Sequence, residues 1–358
     1  MGNTENRKAF LALVRLGLGV QEDVSCKFKD WQLLQDIAAH QGLLGVVVDG
    51  IEKLPDSSRP PKDLLLQWIG LVMQDETRYT IQQKAAAEMA LLFHDNYIRT
   101  YVLKGAVVAE CYPKPEHRVS SDMDCFLLPD KSGFDAWAFG NDLIKAKGFE
   151  TDTDFYKNSA FYLPGLTVEN HRYLTPFRGN KVLKRLEVLL QGLLRDDKGE
   201  DRFVDTWLYR PPVMVSALFL IEHAYSHFLH EGLTWRHVLD WMLFSRKHKE
   251  DIDWVTLDAM IDEFGFRRFY NSYYHLGLYL IGGATEKDLT TLDKRMLDDV
   301  WAELDLHETL HGVKGKLALT GNTLRARWKY HYFSEISMPY ALWIQVKGFL
   351  LERHPKLS

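Results

Sequence analysis

The sequence predicts an α+β fold in which a small mixed β-sheet core is flanked by N-terminal and C-terminal helical regions. Apolar residues recur at helical spacing up to about residue 95 and again from about residue 180, and most of the short β-branched and aromatic segments lie between those limits. With 358 residues, 46% of them hydrophobic, the chain can bury a large core. We expect an N-terminal helical region (1–95), an α/β core (96–178) and a C-terminal helical domain (179–358).

The N-terminal region contains apolar stripes that are typical of amphipathic helices. One stripe consists of Phe10, Leu13, Val14 and Leu18, and a second consists of Ile81, Ala85, Met89, Leu92 and Phe93. Between the two stripes, residues 54–61 are rich in prolines and other turn-forming residues, so we expect a loop there.

The central region is predicted to alternate strands and helices. The predicted elements are a strand at 97–103, a short helix at 105–112, a strand at 122–128, a helix at 130–147 and a hairpin that joins 161–163 to 167–173. Pro164-Gly165 supplies the hairpin turn, because these two residue types adopt the backbone angles of tight turns. This order of elements is the one that a small α/β core requires.

The C-terminal region returns to helical periodicity. Its apolar stripes are Val213, Ala217, Leu220, Ala224 and Phe228, followed by Trp235, Val238, Leu239, Met242 and Leu243. Residues 203–209 favour one further strand.

Composition and charge exclude several classes of function. The chain has 44 Lys and Arg against 49 Asp and Glu, a net charge of −5, and a pI of about 6.3, so we do not expect a nucleic acid partner. Three separated cysteines, Cys26, Cys111 and Cys125, argue against a disulfide framework. We find neither a signal-peptide pattern nor a transmembrane segment, so we expect a cytoplasmic protein with no membrane partner.

The motif that carries chemistry is Ser120-Ser121-Asp122-Met123-Asp124. Side chains two residues apart on a strand point to the same face, so the carboxylates of Asp122 and Asp124 converge. Two converging carboxylates repel each other unless a cation lies between them, and hard oxygen ligands suit Mg²⁺. A bare pair of this kind is more often a solvated strand end, because the pattern is short and common, so the neighbouring residues decide between the two interpretations.

Those neighbours favour a site for a phosphate and a metal ion. Lys104-Gly105 lies at a strand-to-helix turn, where glycine lets backbone N–H groups approach an anion. Arg118 can reach a phosphate bidentately from a proline-bounded loop. Glu169 follows in the hairpin and is the preferred third carboxylate, with Asp152 and Asp154 as alternatives.

The succession of Leu103-Lys104-Gly105, Tyr112-Pro113, Arg118 and Asp122-Met123-Asp124 resembles the signature of the uncharacterised nucleotidyltransferase family, within the DNA polymerase β-like nucleotidyltransferase superfamily. The helical flanks are similar to those of the family as well. The resemblance implies a Mg²⁺-dependent transfer of a nucleoside monophosphate (NMP) from a nucleoside triphosphate (NTP) to an acceptor, with release of pyrophosphate.

Carried over by position, the resemblance implies that Asp122, Asp124 and Glu169 are catalytic and bind a pair of Mg²⁺ ions. It implies that the triphosphate binds at four positions: Lys104, Gly105, Arg118 and Ser121. The superfamily usually has Gly-Ser at the phosphate turn, whereas this chain has Lys104-Gly105, so the serine contact is absent.

A cluster of histidines follows in the C-terminal region. His223, His227 and His230 are spaced by four and three residues, which places them on one helical face. Such a face is compatible with a Zn²⁺ site or with buried structural histidines. We expect His223 and His227 to face the substrate cleft together with His171.

The sequence therefore predicts a nucleotidyltransferase that modifies a small-molecule or protein acceptor. The first alternative is a catalytically inactive nucleotide-binding or toxin–antitoxin-type interaction module, which the atypical Lys104-Gly105 turn favours. The second alternative is a metal-dependent hydrolase built on His223, His227 and His230.

Overall fold

The computed structural model describes residues 2–22, 28–131, 133–153, 155–302 and 326–351. Cys26 and Asp154, the latter an alternative third carboxylate, lie outside these ranges. Within them, no helix combines the length and the apolar character that crossing a bilayer requires.

Helices precede the sheet in the described part of the chain, as the sequence predicts. They are α1 (Gly2–Gly17), α2 (Trp31–His40), α3 (Leu44–Glu52) and α4 (Lys62–Asp95), with a 3-10 helix at Asp56–Ser58. The Asp30 side chain starts α2 by accepting a hydrogen bond of 3.0 Å from the backbone N–H of Leu33. The long helix α4 carries this region to the sheet, where Phe93 packs against Phe161 with ring centroids 6.3 Å apart.

The centre of the fold is a mixed sheet in the order β3-β4-β5-β2-β1-β6. The strands are β1 (Ile98–Val102), β2 (Asp122–Pro129), β3 (Glu150–Asp152), β4 (Asn158–Leu163), β5 (Leu166–His171) and β6 (Leu208–Tyr209). Strand β2 is antiparallel to β1 and parallel to β5, and β5 returns antiparallel to β4. The predicted hairpin around Pro164-Gly165 is confirmed, with Gly165 at a φ of 76° that favours glycine.

Two helices belong to this sheet region, α5 (Ala106–Ala109) and α6 (Ala136–Ala146). The sequence predicts α6 from residue 130, but the helix begins six residues later. The side chain of Asp135 accepts a hydrogen bond of 3.1 Å from the N–H of Ala138, and this cap fixes the start. The edge strand β3 is not predicted, since its three residues carry no apolar alternation.

Apart from β6, which covers only the last two residues of the strand predicted at 203–209, the C-terminal region is helical in its described part. Its helices are α7 (Lys181–Asp196), α8 (Val213–His230), α9 (Trp235–Lys247), α10 (Trp254–Glu263), α11 (Arg267–Leu280), α12 (Thr291–Ala302), α13 (Arg327–Phe333) and α14 (Met338–Leu351). Helix α8 packs on the sheet, where the ring of Phe219 meets that of His171 edge to face at a centroid distance of 6.1 Å.

The described part of the chain is therefore an α+β fold with a mixed sheet and helical flanks, and the predicted fold class is confirmed. Buried apolar side chains from all three regions form one continuous cluster. In that cluster Phe10 of α1 packs against Trp301 of α12 at a centroid distance of 5.7 Å. The boundaries at residues 95 and 178 stay a prediction.

Candidate metal and nucleotide site

Carboxylates from two adjacent strands meet on the face of the sheet that α8 covers. Asp122 and Asp124 are two residues apart on β2, so their side chains share a face. Asp124 is paired in register with Glu169 of the parallel strand β5, and His171 follows two residues later on that strand. Strand alternation and register therefore bring all four side chains to one place, whereas Met123 points to the opposite face and is buried.

Asp124 is the buried centre of this group. Its Oδ1 lies 2.9 Å from Nε2 of His171, and its Oδ2 lies 3.1 Å from Nζ of Lys104. Burial opposes the charged carboxylate, but the ammonium of Lys104 and the hydrogen bond from His171 hold the pKa of Asp124 well below its usual range. Asp124 is therefore a permanent anion at neutral pH.

Asp122 is in the opposite electrostatic situation. Burial raises its pKa, and the negative charges of Asp124 and Glu169 raise it further. The hydroxyl of Ser121 donates to its Oδ1 over 3.3 Å, which offsets only part of this repulsion. A bound cation would remove the repulsion, so the arrangement is suited to binding a metal ion.

The geometry of His171 fits a metal ligand. Its Nδ1 lies 3.1 Å from the carbonyl oxygen of Tyr173, so Nδ1 carries a proton and Nε2 is turned to the carboxylates. A histidine that binds metal through one nitrogen typically donates the other N–H to a carbonyl in this way. His171 is predicted to face a substrate cleft. In the structure its Nε2 contacts Asp124, and the cleft stays a prediction.

Asp124, Glu169 and His171 together could hold a divalent cation. Each offers one ligand atom, and these atoms lie within 4.8 Å of one another. Two carboxylates suit Mg²⁺ or Mn²⁺, and the imidazole nitrogen favours transition metals over Mg²⁺. The predicted metal-binding set is Asp122, Asp124 and Glu169. The tight group in the structure contains His171 in place of Asp122.

The turn after β1 has the left-handed backbone conformation that glycine favours at position 105. Gly105 adopts a φ of 69°, where a side chain is strained. A Cβ at this position would lie 3.5 Å from Oγ of Ser120 and 4.0 Å from Nη1 of Arg118. Gly105 and Arg118 therefore face each other, next to Asp122. The pocket between this turn and α4 measures about 30 Å³, room for about one water molecule.

Arg118 is already engaged by a partner within the protein. Its Nε and Nη2 donate to the two carboxylate oxygens of Asp240 at 3.1 and 2.8 Å, and Tyr112 donates to the same carboxylate at 2.7 Å. The Arg118 guanidinium and Asp240 are both buried. Arg118 is predicted to bind a phosphate bidentately, and such a bond would have to replace the pair with Asp240. While the pair is in place, Nη1 is the nitrogen of Arg118 directed at the turn.

The histidines of α8 lie beside Lys104. Nζ of Lys104 lies 3.1 Å from Nε2 of His223, and Nδ1 of His227 lies 3.0 Å from the carboxylate of Glu231. The third histidine of the cluster is His237 of α9, since the ligand atoms of His223, His227 and His237 lie within 4.8 Å of one another. His230 instead places its Nδ1 2.8 Å from the carbonyl of Ser226, so the predicted trio of His223, His227 and His230 is wrong.

Burial holds the pKa of His223 well below its usual value, and the charge of Lys104 lowers it further. His237 is held low in the same way, chiefly by burial and then by His227. Thr234 donates its backbone N–H and its hydroxyl toward Nδ1 of His237 at 3.2 and 2.9 Å. The ammonium next to His223 disfavours a second cation there, which counts against the zinc hydrolase.

Two contacts of this region could not be found by spacing alone. Asp240 and His237 lie on α9, and only the packing of that helix against the sheet region brings them to Arg118 and the α8 histidines. From spacing alone, Asp240 is predicted to pair with Arg236, because the two residues are four apart on one helix. In the structure Arg236 donates to the carbonyl of Val119 at 2.8 Å instead.

Comparison with known proteins gives one match at the level of families. The family described as "Uncharacterised nucleotidyltransferase" matches residues 28–280. The matched segment includes the sheet, the carboxylate cluster and helices α8 and α9. No curated protein and no solved structure matches.

Proposed function

Since the chain belongs to the uncharacterised nucleotidyltransferase family, we propose that it moves an NMP from an NTP to an acceptor in a reaction that depends on divalent metal, with Mg²⁺ as the physiological ion. The observation that carries this proposal is the carboxylate cluster. Asp122, Asp124 and Glu169 share one face of the sheet, and each raises the cost of charging its neighbours. The family supports the reaction class, and the cluster supports the proposed location of the reaction on the molecule.

Asp124, Glu169 and His171 would hold the first cation, and Asp122 would add a ligand to a second. When bound, the metal ions supply positive charge that neutralises the triphosphate and polarises its phosphorus. Lys104 is within 3.1 Å of Asp124 and would move toward the triphosphate as a cation takes its place at that carboxylate. Backbone N–H groups after Gly105 would face the phosphates.

In the transfer itself, a hydroxyl oxygen of the acceptor attacks the α-phosphorus of the NTP. The bond from that phosphorus to the oxygen that bridges it to the β-phosphate breaks, and pyrophosphate leaves with the electron pair. The hydroxyl proton passes to a carboxylate. Glu169 suits this role because 36% of its side chain is accessible, whereas Asp124 is buried.

The alternative is a nucleotide-binding module without catalysis. One feature favours it, namely the Lys104-Gly105 turn, which lacks the usual serine. Pyrophosphate release separates the two functions, because a binding module would retain NTP without turning it over.

The test incubates the purified protein and Mg²⁺ with each of the four NTPs, labelled at the α-phosphate, in the presence of cell extract. We expect label to appear on an acceptor with release of pyrophosphate, and both to vanish in Asp122→Asn combined with Asp124→Asn. Asp142→Asn is the matched control, since Asp142 is exposed on α6. Label transfer that survives in the double variant would contradict the proposal, and tight NTP binding without any turnover would favour the module.

A further inference from the structure

A cavity of about 810 Å³ lies behind α8, away from the carboxylate cluster. Its walls come from the start of α7, the second half of α8, the end of α10 and the turn that follows it, helices α13 and α14, and the segment 155–156. Apolar and aromatic side chains make up most of the surface, among them Tyr156, Tyr225, Leu229, Phe266 and Tyr330. This volume is the size that sites for small organic ligands usually have.

One acidic side chain on the wall feels the charges of Lys157 and His171, but one of its carboxyl oxygens has no hydrogen-bond partner in the described part of the protein. This side chain is Glu222 of α8, which is only 1% exposed, and the oxygen is its Oε2. The three other acidic residues on the wall each lie near an arginine: Asp262 by Arg267 at 2.6 Å, Glu263 by Arg185 at 3.8 Å and Glu335 by Arg268 at 3.6 Å. A buried carboxyl without a partner is costly, so it commonly marks the place where a ligand supplies one.

We propose that this cavity binds a small-molecule ligand that combines an apolar or aromatic body with an amine whose cation pairs with Glu222. The apolar walls would bury the body of such a ligand. The tyrosine rings add faces that attract a cation. This inference goes beyond the proposed function, since it assigns a ligand site apart from the carboxylate cluster.

Helix α8 links the cavity to the carboxylate cluster. Phe219, one turn before Glu222, packs against the ring of His171, and His223, the next residue, lies 3.1 Å from Nζ of Lys104. The same helix therefore carries the charged wall of the cavity and a contact to the turn where the triphosphate would bind.

An amine suits the cavity better than an acid does. Arg178 also lies on the wall, but its guanidinium sits over the ring of Tyr156, 3.8 Å from the centroid. A carboxylate ligand would meet the carboxyl of Glu222 and be repelled, whereas a neutral ligand would leave that group without a partner.

The experiment uses three probes with one apolar body and different ends: 4-phenylbutylamine, 4-phenylbutanol and 4-phenylbutanoate. Binding to the full chain is followed by ligand-observed NMR. We expect the amine to bind most tightly of the three probes. Glu222→Gln should weaken the affinity for the amine by at least about tenfold, the value of one charge-assisted hydrogen bond, and should change the affinity for the alcohol little. Glu88→Gln, at an exposed position on α4, is the matched control and should change neither.

A second variant tests the location independently of charge. Ser226→Phe places a ring in the cavity and should weaken all three probes together, because it takes up ligand volume. Glu222→Gln should fold at least as stably as the wild type, since it removes a buried carboxyl that has no partner.

The inference is overturned if the amine shows no binding, if it binds no better than the alcohol, or if its affinity is the same in Glu222→Gln. The double variant Asp122→Asn with Asp124→Asn separates this inference from the proposed function. Amine binding should persist there while Mg²⁺-dependent NTP binding is lost. If the affinity for the amine depends on Glu222 but the affinity for NTP does not depend on the two aspartates, the cavity is a ligand site and the proposed transfer reaction is wrong.

Discussion

Two clusters of buried charge lie close together in this molecule, and they are built on opposite principles. In the closed cluster, Arg118 and Asp240 face each other through two hydrogen bonds and Tyr112 adds a third. In the open cluster, Asp122, Asp124 and Glu169 are set against Lys104 and His171. The closed cluster balances one charge with one charge, whereas the open cluster has more carboxylates than cations to pair with them.

The difference separates a structural role from a functional one. The buried charges of the closed cluster are matched, so it fixes the position of α9 against the sheet region. The open cluster keeps repulsion that the fold alone does not relieve, which is visible in the raised pKa of Asp122. Since one lysine and one histidine cannot neutralise three carboxylates, that cluster is suited to take up additional cations.

The largest expected effect on stability comes from breaking the closed cluster. Asp240→Ala leaves the buried guanidinium of Arg118 without its partner, and we expect a loss of about 3–5 kcal/mol in the free energy of unfolding. Urea denaturation measures this loss. Asp142→Ala on the surface should change the free energy by no more than about 0.5 kcal/mol. A loss for Asp240→Ala that matches this control would show that the pair is not structural.

The open cluster should respond in the opposite way, through metal affinity rather than stability. His171→Ala removes one of three ligands and should weaken Mn²⁺ binding by at least about tenfold. Electron paramagnetic resonance of Mn²⁺ reports the free ion directly. If His171→Ala binds Mn²⁺ as the wild type does, this histidine only shapes the carboxylates and is not a ligand.

Lys104 allows a finer test, because it competes with a cation for Asp124. Lys104→Met should strengthen Mn²⁺ binding in the absence of nucleotide by about threefold to tenfold, the effect of removing one nearby positive charge. The same variant should weaken NTP binding. A loss of both affinities would mean that Lys104 organises the site and does not compete for it.

A third cluster lies between the two extremes and gives the smallest effect. His117 is buried and contacts Asp49 at 2.8 Å and Glu76 at 3.0 Å. Burial opposes the charged imidazole, but both carboxylates favour it, and the net effect raises the pKa of His117 above its usual 6.5. The contribution of charged His117 to the free energy of unfolding is therefore fully present below pH 6.5. It is lost as the pH rises through the pKa of His117 in the folded protein.

We expect the wild type to lose about 1 kcal/mol or less between about pH 6 and about pH 8 relative to His117→Gln, because one partner is exposed. Urea denaturation at both pH values gives the comparison. A wild type whose unfolding free energy varies with pH just as that of His117→Gln does would show that His117 is not charged in the folded protein.

The sequence predicted the local parts of the open cluster well. Alternation along a strand placed Asp122 and Asp124 on one face, and a φ of 69° bears out glycine at the turn. Glu169 was also singled out, but the register that sets it beside Asp124 depends on how β5 pairs with β2. His171 had the same alternation after Glu169, so its contact with Asp124 could have been predicted.

The closed cluster could not be predicted, because it depends on packing between distant segments. Arg118 was assigned to a phosphate, since a lone arginine near two aspartates gives no sign of its partner. Asp240 was assigned to Arg236, four residues away on the same helix. Only the approach of α9 to the sheet region brings Asp240 to Arg118, and helical spacing contains no information on that approach.

Calorimetric titrations of NTP with and without Mg²⁺ test whether the open carboxylate cluster binds metal and nucleotide. They compare three proteins: the wild type, Asp122→Asn combined with Asp124→Asn, and the control Asp142→Asn. We expect Mg²⁺-dependent binding of at least one NTP to the wild type and the control, and at least about a hundredfold weaker binding to the double variant. Equal Mg²⁺-dependent affinity in all three proteins would contradict the claim that the open carboxylate cluster is the metal and nucleotide site.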